Sequence, residues 1–192
     1  MHLIFSADEN WAIGKGKGLL YWIPPDLRMF QETTAGGAVI MGRTTWESLP
    51  HGKPLEGRIN IILTRDPERV ALPADASDVS DTSVVDETEQ NTKILISKDL
   101  DELAEILRGL RLAPDCVWVI GGASIYRLLL PYCTMAYATR VLDADPDADT
   151  WMEDLDRAEG WVLATRGETQ IWEGLRFRFD RYRNLSPRQI GT

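Results

Sequence analysis

The chain has 192 residues, 44% of them hydrophobic, and a formal net charge of −9. This length and composition suit a single domain with a full hydrophobic core, and the negative charge argues against nucleic-acid or anionic-membrane partners. No apolar run approaches the roughly 18 residues needed to span a bilayer, and the N-terminus lacks the pattern of a signal peptide, so we expect a cytoplasmic protein.

The cysteines and histidines give little scope for a metal site or a disulfide framework. Cys116 and Cys133 lie in apolar surroundings without C-x-x-C spacing, which favours buried thiols. His2 and His51 are far apart in the sequence, so a zinc site or a Ser-His-Asp triad is hard to assemble. We therefore expect no bound metal.

The predicted strands of the first two thirds of the chain are short, continuous apolar runs, which is typical of strands buried on both faces. In chain order they cover residues 2–7, 38–41, 59–63, 93–97 and 116–121. Helical segments alternate with these strands. The alternation indicates an α/β domain with a largely parallel sheet.

Helices are predicted between these strands. They cover residues 26–34, 44–49, 100–110 and 123–130. In the third, Leu100, Leu103 and Leu107 recur at three- and four-residue spacing, which gives the helix one apolar stripe.

The last third of the chain has a different pattern. The stretches MAYATRV, WVLATRG and LRFRFDRYR alternate partly with a period of two, which predicts antiparallel strands that close one side of the sheet. Residues 66–92 are rich in Asp, Ser, Thr and Glu, so we expect a long solvated excursion without a chemical role. We expect one domain over residues 1–184 and a frayed tail over residues 185–192.

A glycine-rich stretch, GKGKGLLYWIPPDLRMF at residues 14–30, precedes the first predicted helix. Its glycines do not have the G-x-G-x-x-G spacing of a dinucleotide fingerprint, and Pro24 and Pro25 prevent a helix from beginning directly behind them. No Ser or Thr completes a Walker loop. The stretch is therefore a flexible loop that carries lysines, and an ordinary surface loop is the alternative.

Three predicted strand ends carry residues that suit phosphate groups. The glycine pair at 121–122 precedes a helix whose first amides can bind a pyrophosphate, although such pairs also mark tight turns. Residues 42–45, GRTT, offer an arginine and two hydroxyls at another helix start; a capped helix with a surface arginine is the alternative. Thr64 and Arg65 follow a third strand. A dinucleotide with an extra phosphate fits this edge of the sheet.

Asp26 has two interpretations. An acid in the first turn of a helix is favoured by the helix dipole, without any further role. Leu27 and Phe30 are on the same predicted helix face, however, and they place the carboxylate in an apolar wall. A carboxylate in that setting could bind a polar heterocycle through two hydrogen bonds.

These motifs together resemble the dihydrofolate reductase family over residues 3–183. The stretches that carry the resemblance are IGKGKGLLYWIPPDL, VIMGRTTWESLP, PLEGRINIILTR, VIGGASIY and DADT. The resemblance implies NADPH as cofactor, 7,8-dihydrofolate as substrate, antifolates as inhibitors and a monomer. It also implies a mixed eight-stranded sheet with antiparallel C-terminal strands, flanked by four helices.

The resemblance also assigns roles at the substrate site. Asp26 matches the family's single ionisable pterin-site residue, which bonds the 2-amino group and N3 while hydride reaches C6 and a proton reaches N5. Thr139 matches its hydroxyl partner, Arg58 matches the arginine that binds the α-carboxylate of the glutamate tail, and Tyr21 and Tyr126 match further catalytic positions. The matched wall of the substrate site is Ile4, Phe5, Ser6, Leu27, Phe30, Leu49, Leu55 and Ile120.

The cofactor site is implied in the same way. Its matched positions are Ala7, Ile13, Gly14, Gly18, Leu19, Gly42, Arg43, Thr44, Thr45, Leu63, Thr64, Arg65, Lys98, Gly121, Gly122, Ala123, Ser124, Ile125 and Tyr126. The resemblance implies a cis peptide between Gly121 and Gly122, an uncommon bond for residues other than proline. It also implies that residues 14–21 form a lid that excludes water from the reaction.

Two departures from the family pattern leave alternatives open. Leu20-Tyr21 replaces the usual Pro-Trp, with Trp22 one residue later, and residues 151–153 replace the Phe-Pro that follows DADT. One alternative is the related reductase of the riboflavin pathway, which acts on a ribosyl-phosphate substrate, although Asp26 and Arg58 argue against it. Another is a nucleotide-binding module without turnover.

Overall fold

A computed structural model describes residues 1–16, 18–73 and 92–191. The strands in this part of the chain are β1 (His2–Ala7), β2 (Ala12–Lys15), β3 (Gly18–Leu19), β4 (Ala38–Gly42), β5 (Ile59–Leu63), β6 (Lys93–Ser97), β7 (Val117–Gly121), β8 (Met135–Val141), β9 (Thr150–Trp151), β10 (Trp161–Thr165), β11 (Gln170–Trp172) and β12 (Leu175–Asn184). The α-helices are α1 (Pro24–Thr34), α2 (Arg43–Glu47), α3 (Leu100–Leu110) and α4 (Ala123–Leu129).

The central sheet has the strand order β10-β12-β8-β1-β7-β4-β5-β6. Neighbouring strands from β8 to β6 are parallel, whereas β12 is antiparallel to both β8 and β10. Strand β11 pairs with β12 outside this path, and β3, β2 and β9 form a separate small sheet. The predicted α/β fold, with a mixed eight-stranded sheet and antiparallel C-terminal strands, is confirmed.

The inner parallel strands β1, β4, β5 and β7 are buried on both faces, as their continuous apolar runs predict, whereas β6 at the end of the sheet is mostly half-buried. In β4, Ala38 and Ile40 contribute to a core cluster that also contains residues of α3 and α4. Val39 and Met41 of the same strand contribute to a second cluster, with residues of α1 and α2. The helices therefore cover the sheet in two layers.

The helix bounds differ slightly from the predicted ones. Helix α1 begins at Pro24, two residues early, because proline fits the first turn, where its missing N–H needs no partner. Helix α2 lies at Arg43–Glu47, within about two residues of its predicted bounds. Helix α4 ends at Leu129, where the chain enters the 3₁₀ turn Leu130–Tyr132. Helix α3 has its predicted bounds, and its start is capped by Asp99, whose side chain accepts a hydrogen bond from Glu102 N at 2.9 Å.

The prediction of two buried thiols is wrong for Cys116. Cys133 is buried, but Cys116 is exposed. The reason is that Cys116 ends the 3₁₀ turn Pro114–Cys116, so that β7 begins one residue after it and the thiol lies outside the sheet.

Two further segments bear on the predictions. Residues 74–91 of the predicted excursion lie outside the described residues. In the tail, where fraying is the prediction, the amides of Leu185 and Arg188 each donate a hydrogen bond of 2.8 Å, to the carbonyls of Gly160 and Pro131. Within the described ranges, no helix is long and apolar enough to cross a membrane.

Candidate active site

Asp26 lies in the first turn of α1 and is half-buried. Its Oδ1 accepts a hydrogen bond of 2.5 Å from the hydroxyl of Thr139, a fully buried residue of β8. Burial raises the pKa of Asp26 above its ordinary value, and the Thr139 hydrogen bond offsets part of the rise. Among the described residues, no lysine, arginine or histidine forms an ion pair with this carboxylate. Asp26 is therefore a poorly solvated acid whose carboxylate can accept further hydrogen bonds from a ligand.

Tyr126 of α4 lies close to this acid. It is buried, and its hydroxyl donates a hydrogen bond of 2.8 Å to the carbonyl of Ile4. Burial, together with the negative charge of Asp26, raises the pKa of Tyr126 far above its ordinary value. The phenol therefore stays neutral and serves as a fixed hydrogen-bond donor between α4 and β1.

Five residues of the predicted apolar wall lie together on one face of the sheet. A single core cluster brings together Ile4, Phe30, Leu49, Leu55 and Ile120. All except Ile4 are only partly buried, so they leave apolar surface on the side of the sheet that carries α1.

Phe5, Ser6 and Leu27 are placed differently from those wall residues. Phe5 packs its ring against Trp11 and Tyr126 at centroid distances of 6.3 and 5.8 Å, in the cluster on the opposite face of the sheet. Leu27 is half-buried beside Asp26. The Oγ of Ser6 is buried and has no hydrogen-bond partner among the described residues. An orphaned hydroxyl next to these strands suits a polar ligand atom.

Arg58 is a buried cation at the far end of the wall. Its Nη1 donates to the Oγ1 of Thr34 and its Nε to the carbonyl of Glu56, each at 3.0 Å. The guanidinium lies 5.8 Å from the ring centroid of Phe30. No acidic side chain pairs with Arg58 in the described part of the chain. Since an unpaired buried charge is costly, the geometry favours an anionic ligand here.

Most of the predicted cofactor residues lie at one edge of the sheet. Strands β7, β4, β5 and β6 are parallel neighbours, and their register pairs Met41 with Gly121, Gly42 with Leu63, and Leu63 with Ser97. Residues 42–45, 63–65, 97–98 and 121–126 therefore meet there, as the sequence predicts.

The glycines at this edge allow close contact between the strand ends and α4. The peptide between Gly121 and Gly122 is cis, as predicted. A Cβ at Gly42 would lie 2.9 Å from Cγ1 of Ile125, and one at Gly122 would lie 3.3 Å from Oγ1 of Thr45. The glycines thus let the start of α4 and the hydroxyl of Thr45 pack closely against the strand ends. Backbone amides and hydroxyls grouped in this way suit the diphosphate of a nicotinamide dinucleotide.

The three cations near the predicted cofactor site differ in whether they already have an ion-pair partner. Arg43 forms an ion pair with Glu47, one turn further along α2. Arg65 and Lys98 are exposed, and neither has an ion-pair partner in the described ranges. A phosphate bound at this edge would therefore compete with Glu47 for Arg43 and would find the other two cations available.

The predicted lid, residues 14–21, contains the β2–β3 hairpin. The Oδ2 of Asp149 accepts a hydrogen bond of 2.7 Å from Gly16 N, and the amide of Asp149 donates to the carbonyl of Gly14 at 3.2 Å. Lys15 Nζ lies 2.9 Å from Oδ2 of Asp147 and 3.5 Å from Oδ1 of Asp145. The hairpin is therefore held by hydrogen bonds and ion pairs to the acidic loop 143–149, which runs into the DADT motif. Ala7 and Ile13 lie near its base, and Leu19 is 56% exposed at its end.

Tyr21 follows the lid and is half-buried against Ile23, Val141 and Phe177. Burial, and then the negative charges of nearby aspartates, raise the pKa of Tyr21 to about 12. The neighbouring Trp22 is 69% exposed. The structure thus turns Tyr21, not the nearby tryptophan, toward the protein interior.

Sequence reasoning missed one residue that shapes the site, Asn60. It is a fully buried amide in β5 whose side chain bonds the loop of residues 55–58. The signal was a single polar residue inside the apolar run INIIL. No group of His, Cys, Asp or Glu in the described residues is arranged to hold a metal ion.

The chain is similar in sequence to proteins of one known family. The family model described as Dihydrofolate reductase matches residues 1–184. The chain is 33% identical over 183 residues to "Dihydrofolate reductase" of Mycobacterium leprae, with 94% of this chain and 95% of the relative covered. The proteins of the same name from Mycobacterium tuberculosis and Neisseria meningitidis serogroup B are also 33% identical, over 187 and 181 residues, with the same coverage.

Proposed function

The chain belongs to the dihydrofolate reductase family, and we propose that it uses NADPH to reduce 7,8-dihydrofolate to 5,6,7,8-tetrahydrofolate. The observation that carries the proposal is the half-buried carboxylate of Asp26, held by Thr139 beside an apolar wall and without a basic partner in the described ranges. A pterin is flat and apolar on its faces, and its edge presents an amino group and ring nitrogens. Such an edge can satisfy a carboxylate through two hydrogen bonds.

The proposed role of Asp26 has two parts. Thr139 engages Oδ1, so that Asp26 can turn its remaining hydrogen-bonding capacity to the 2-amino group and N3 of the pterin. Because its pKa is raised, Asp26 can hold a proton at a pH closer to neutral than an ordinary aspartate can. This supports protonation of the pterin at N5 as C6 is reduced. When bound, NADPH supplies the hydride that C6 receives.

The rest of the substrate is proposed to extend along the apolar wall to Arg58. The aminobenzoyl group suits Phe30, Leu49 and Leu55, and the glutamate α-carboxylate suits the guanidinium. Arg58 is held at one side by Thr34 and Glu56, which leaves a fork of N–H groups for a bidentate carboxylate.

The preference for NADPH over NADH is proposed from the cations at the sheet edge. Arg43, Arg65 and Lys98 follow β4, β5 and β6, where an added 2′-phosphate would meet them. The protein's overall negative charge disfavours anions, so local donors have to supply the binding. We further propose that the protein acts as a cytoplasmic monomer and supports one-carbon metabolism and nucleotide synthesis.

The test is a turnover assay on the purified protein. NADPH absorbance should fall when 7,8-dihydrofolate is added, an antifolate should stop the decay, and NADH should serve poorly. Omitting the pterin controls for non-specific oxidation. Binding of NADPH without turnover would instead support a nucleotide-binding module, and turnover only with a ribosyl-phosphate pyrimidine would support the riboflavin-pathway alternative.

A further inference from the structure

We infer that Asn60 is a positioning residue for the substrate's carboxylate-bearing tail, because its buried amide fixes the loop that carries Leu55 and Arg58. The inference rests on the proposed function. Asn60 makes no contact with the proposed ligand and acts only through residues 55–58.

The hydrogen bonds of Asn60 close this loop onto β5. Its Oδ1 accepts from Leu55 N at 2.9 Å, and its Nδ2 lies 3.0 Å from the carbonyl of Leu55 and 3.1 Å from that of Arg58. A longer contact of 3.3 Å joins Nδ2 to the carbonyl of Lys93 in β6. The Asn60 side chain thus adds to the two backbone hydrogen bonds that other segments make to this loop, from Gly36 N to the carbonyl of Gly57 and from Lys93 N to that of Arg58.

A buried amide in an apolar strand is unfavourable unless its hydrogen bonds are satisfied. Asn60 is fully buried between Ile59 and Ile61, where an aliphatic side chain would pack without the cost of desolvating an amide. Its hydrogen bonds offset that cost only while the loop keeps its present shape. The amide therefore ties the conformation of the loop to the rigid centre of the sheet.

The loop in turn fixes the position of the Arg58 guanidinium. The Nε of Arg58 bonds the carbonyl of Glu56 within the same loop, and its Nη1 bonds Thr34 at the end of α1. Gly57 is also held, since its amide donates to the Oγ1 of Thr92 at 2.8 Å. Without the Asn60 bonds, Leu55 loses its backbone partners on both N–H and C=O, and the backbone of Arg58 loses one. Misplacement of Arg58 should follow.

The experiment compares two substrates in variants of the full chain. Asn60→Ala removes the amide, and Asn60→Ser is a milder change that keeps a small polar group. Asn184→Ala is the matched control, because within the described residues the Asn184 side chain also bonds only backbone groups. These are the carbonyl of Cys133 and the amide of Ser186, each at 3.0 Å. Each variant is assayed with 7,8-dihydrofolate and with a dihydropterin that lacks the aminobenzoyl-glutamate tail. The Kd of NADPH and the thermal midpoint are measured alongside.

For both Asn60 variants we expect the KM for dihydrofolate to rise by about tenfold or more, the scale of a misplaced ionic hydrogen bond. The kcat, the Kd for NADPH and the kinetics of the tail-less pterin should change little, and Asn184→Ala should leave both substrates unaffected.

An equal loss with both substrates would overturn the inference, as would an unchanged KM for dihydrofolate in a folded variant. Failure of both variants to fold would also count against it, because Asn60 would then serve the fold and not the tail site. Failure of the proposed function is separate, since the wild-type protein would then not turn over dihydrofolate.

Discussion

Thr139 and Asp26 are 113 residues apart in the sequence and are joined by a hydrogen bond of 2.5 Å from the threonine hydroxyl to Oδ1 of the carboxylate. Thr139 lies in β8, between β1 and β12 in the middle of the sheet, so its hydroxyl is fixed. The bond therefore sets the orientation of an acid that sits near the start of a helix and leaves its other oxygen available for a ligand.

Asp26→Asn should remove most of the reductase activity. The amide has nearly the shape of the carboxylate, but it carries no charge and cannot exchange a proton with the substrate. We expect kcat/KM at neutral pH to fall by at least about 100-fold, as is usual for the loss of an acid–base group. Steady-state kinetics check this, with the Kd of NADPH as the control for an intact cofactor site. Unchanged turnover would contradict the role proposed for Asp26.

The same substitution should stabilise the fold at neutral pH. Because burial raises the pKa of Asp26, the folded protein favours the protonated acid, and stability is lost as pH rises through that raised pKa. Asparagine stays neutral at every pH. The thermal midpoint of the variant should therefore exceed that of the wild type at neutral pH, and the gap should close under acidic conditions.

Asp149→Asn serves as the control of opposite sign for this stability prediction. Hydrogen bonds from Thr150 and Gly16 lower the pKa of Asp149, so its ionised form is favoured in the folded state. The same change of acid to amide should therefore slightly lower the thermal midpoint at neutral pH. If the wild type is more stable than Asp26→Asn at neutral pH, burial of the ionised Asp26 does not destabilise the folded protein, and the prediction is wrong.

Thr139→Val should move the pH dependence of the reaction. The hydroxyl lowers the pKa of Asp26 against the larger effect of burial, so its removal should raise that pKa further. Valine keeps the shape of the side chain. We expect the midpoint of the kcat/KM profile that reports Asp26 to shift to higher pH, together with a loss of orientation that lowers the maximum. A shift to lower pH would contradict the geometry.

The sequence patterns predict the parallel part of the sheet well because its inner strands are buried on both faces and therefore read as continuous apolar runs. They do not predict β2, β3 and β9, which pair through only a few residues and have no apolar pattern of their own. Asp26 and Arg58 could be picked out through the family resemblance. The resemblance also gives Thr139 as the hydroxyl partner of Asp26. The loop held by Asn60 depends on hydrogen bonds between segments, which the single polar residue in INIIL signals but does not specify.

The lid should depend more on Asp149 than on Lys15. Asp149 accepts hydrogen bonds from Gly16 N and from Thr150, and its own amide binds the carbonyl of Gly14. Lys15 contributes only ion pairs in which its side chain is 45% exposed, and such pairs contribute little. Asp149→Ala should lower kcat by about 10- to 100-fold through a misplaced lid, whereas Lys15→Met should have a small effect that disappears at high salt.

Single-turnover and steady-state rates for both lid variants check this prediction. If chemistry slows with the lid open, the two rates should fall together in Asp149→Ala. A larger effect of Lys15→Met than of Asp149→Ala would mean that charge, and not backbone hydrogen bonding, holds the hairpin closed.

Arg140, the residue after Thr139 in β8, forms a second buried cation that we expect to be dispensable. Its guanidinium carbon lies 3.8 Å from the ring centroid of Trp11, while its Nε and Nη1 are buried and have no partner in the described part of the chain. Burial lowers the pKa of Arg140. The stack with the indole contributes up to about 2 kcal/mol, but each unpartnered N–H costs about 1–3 kcal/mol.

The two costs together outweigh the stack, so Arg140→Met should leave the free energy of unfolding unchanged or raise it. Methionine keeps the length of the side chain and its contact with the Trp11 ring but introduces no buried charge. Arg140→Ala is the matched comparison, and it should destabilise the fold because it also removes the packing. Urea denaturation of both variants checks this. A methionine variant as unstable as the alanine variant would contradict this. It would show that the stack of the Arg140 guanidinium on Trp11 stabilises the fold by more than the desolvation of the guanidinium costs.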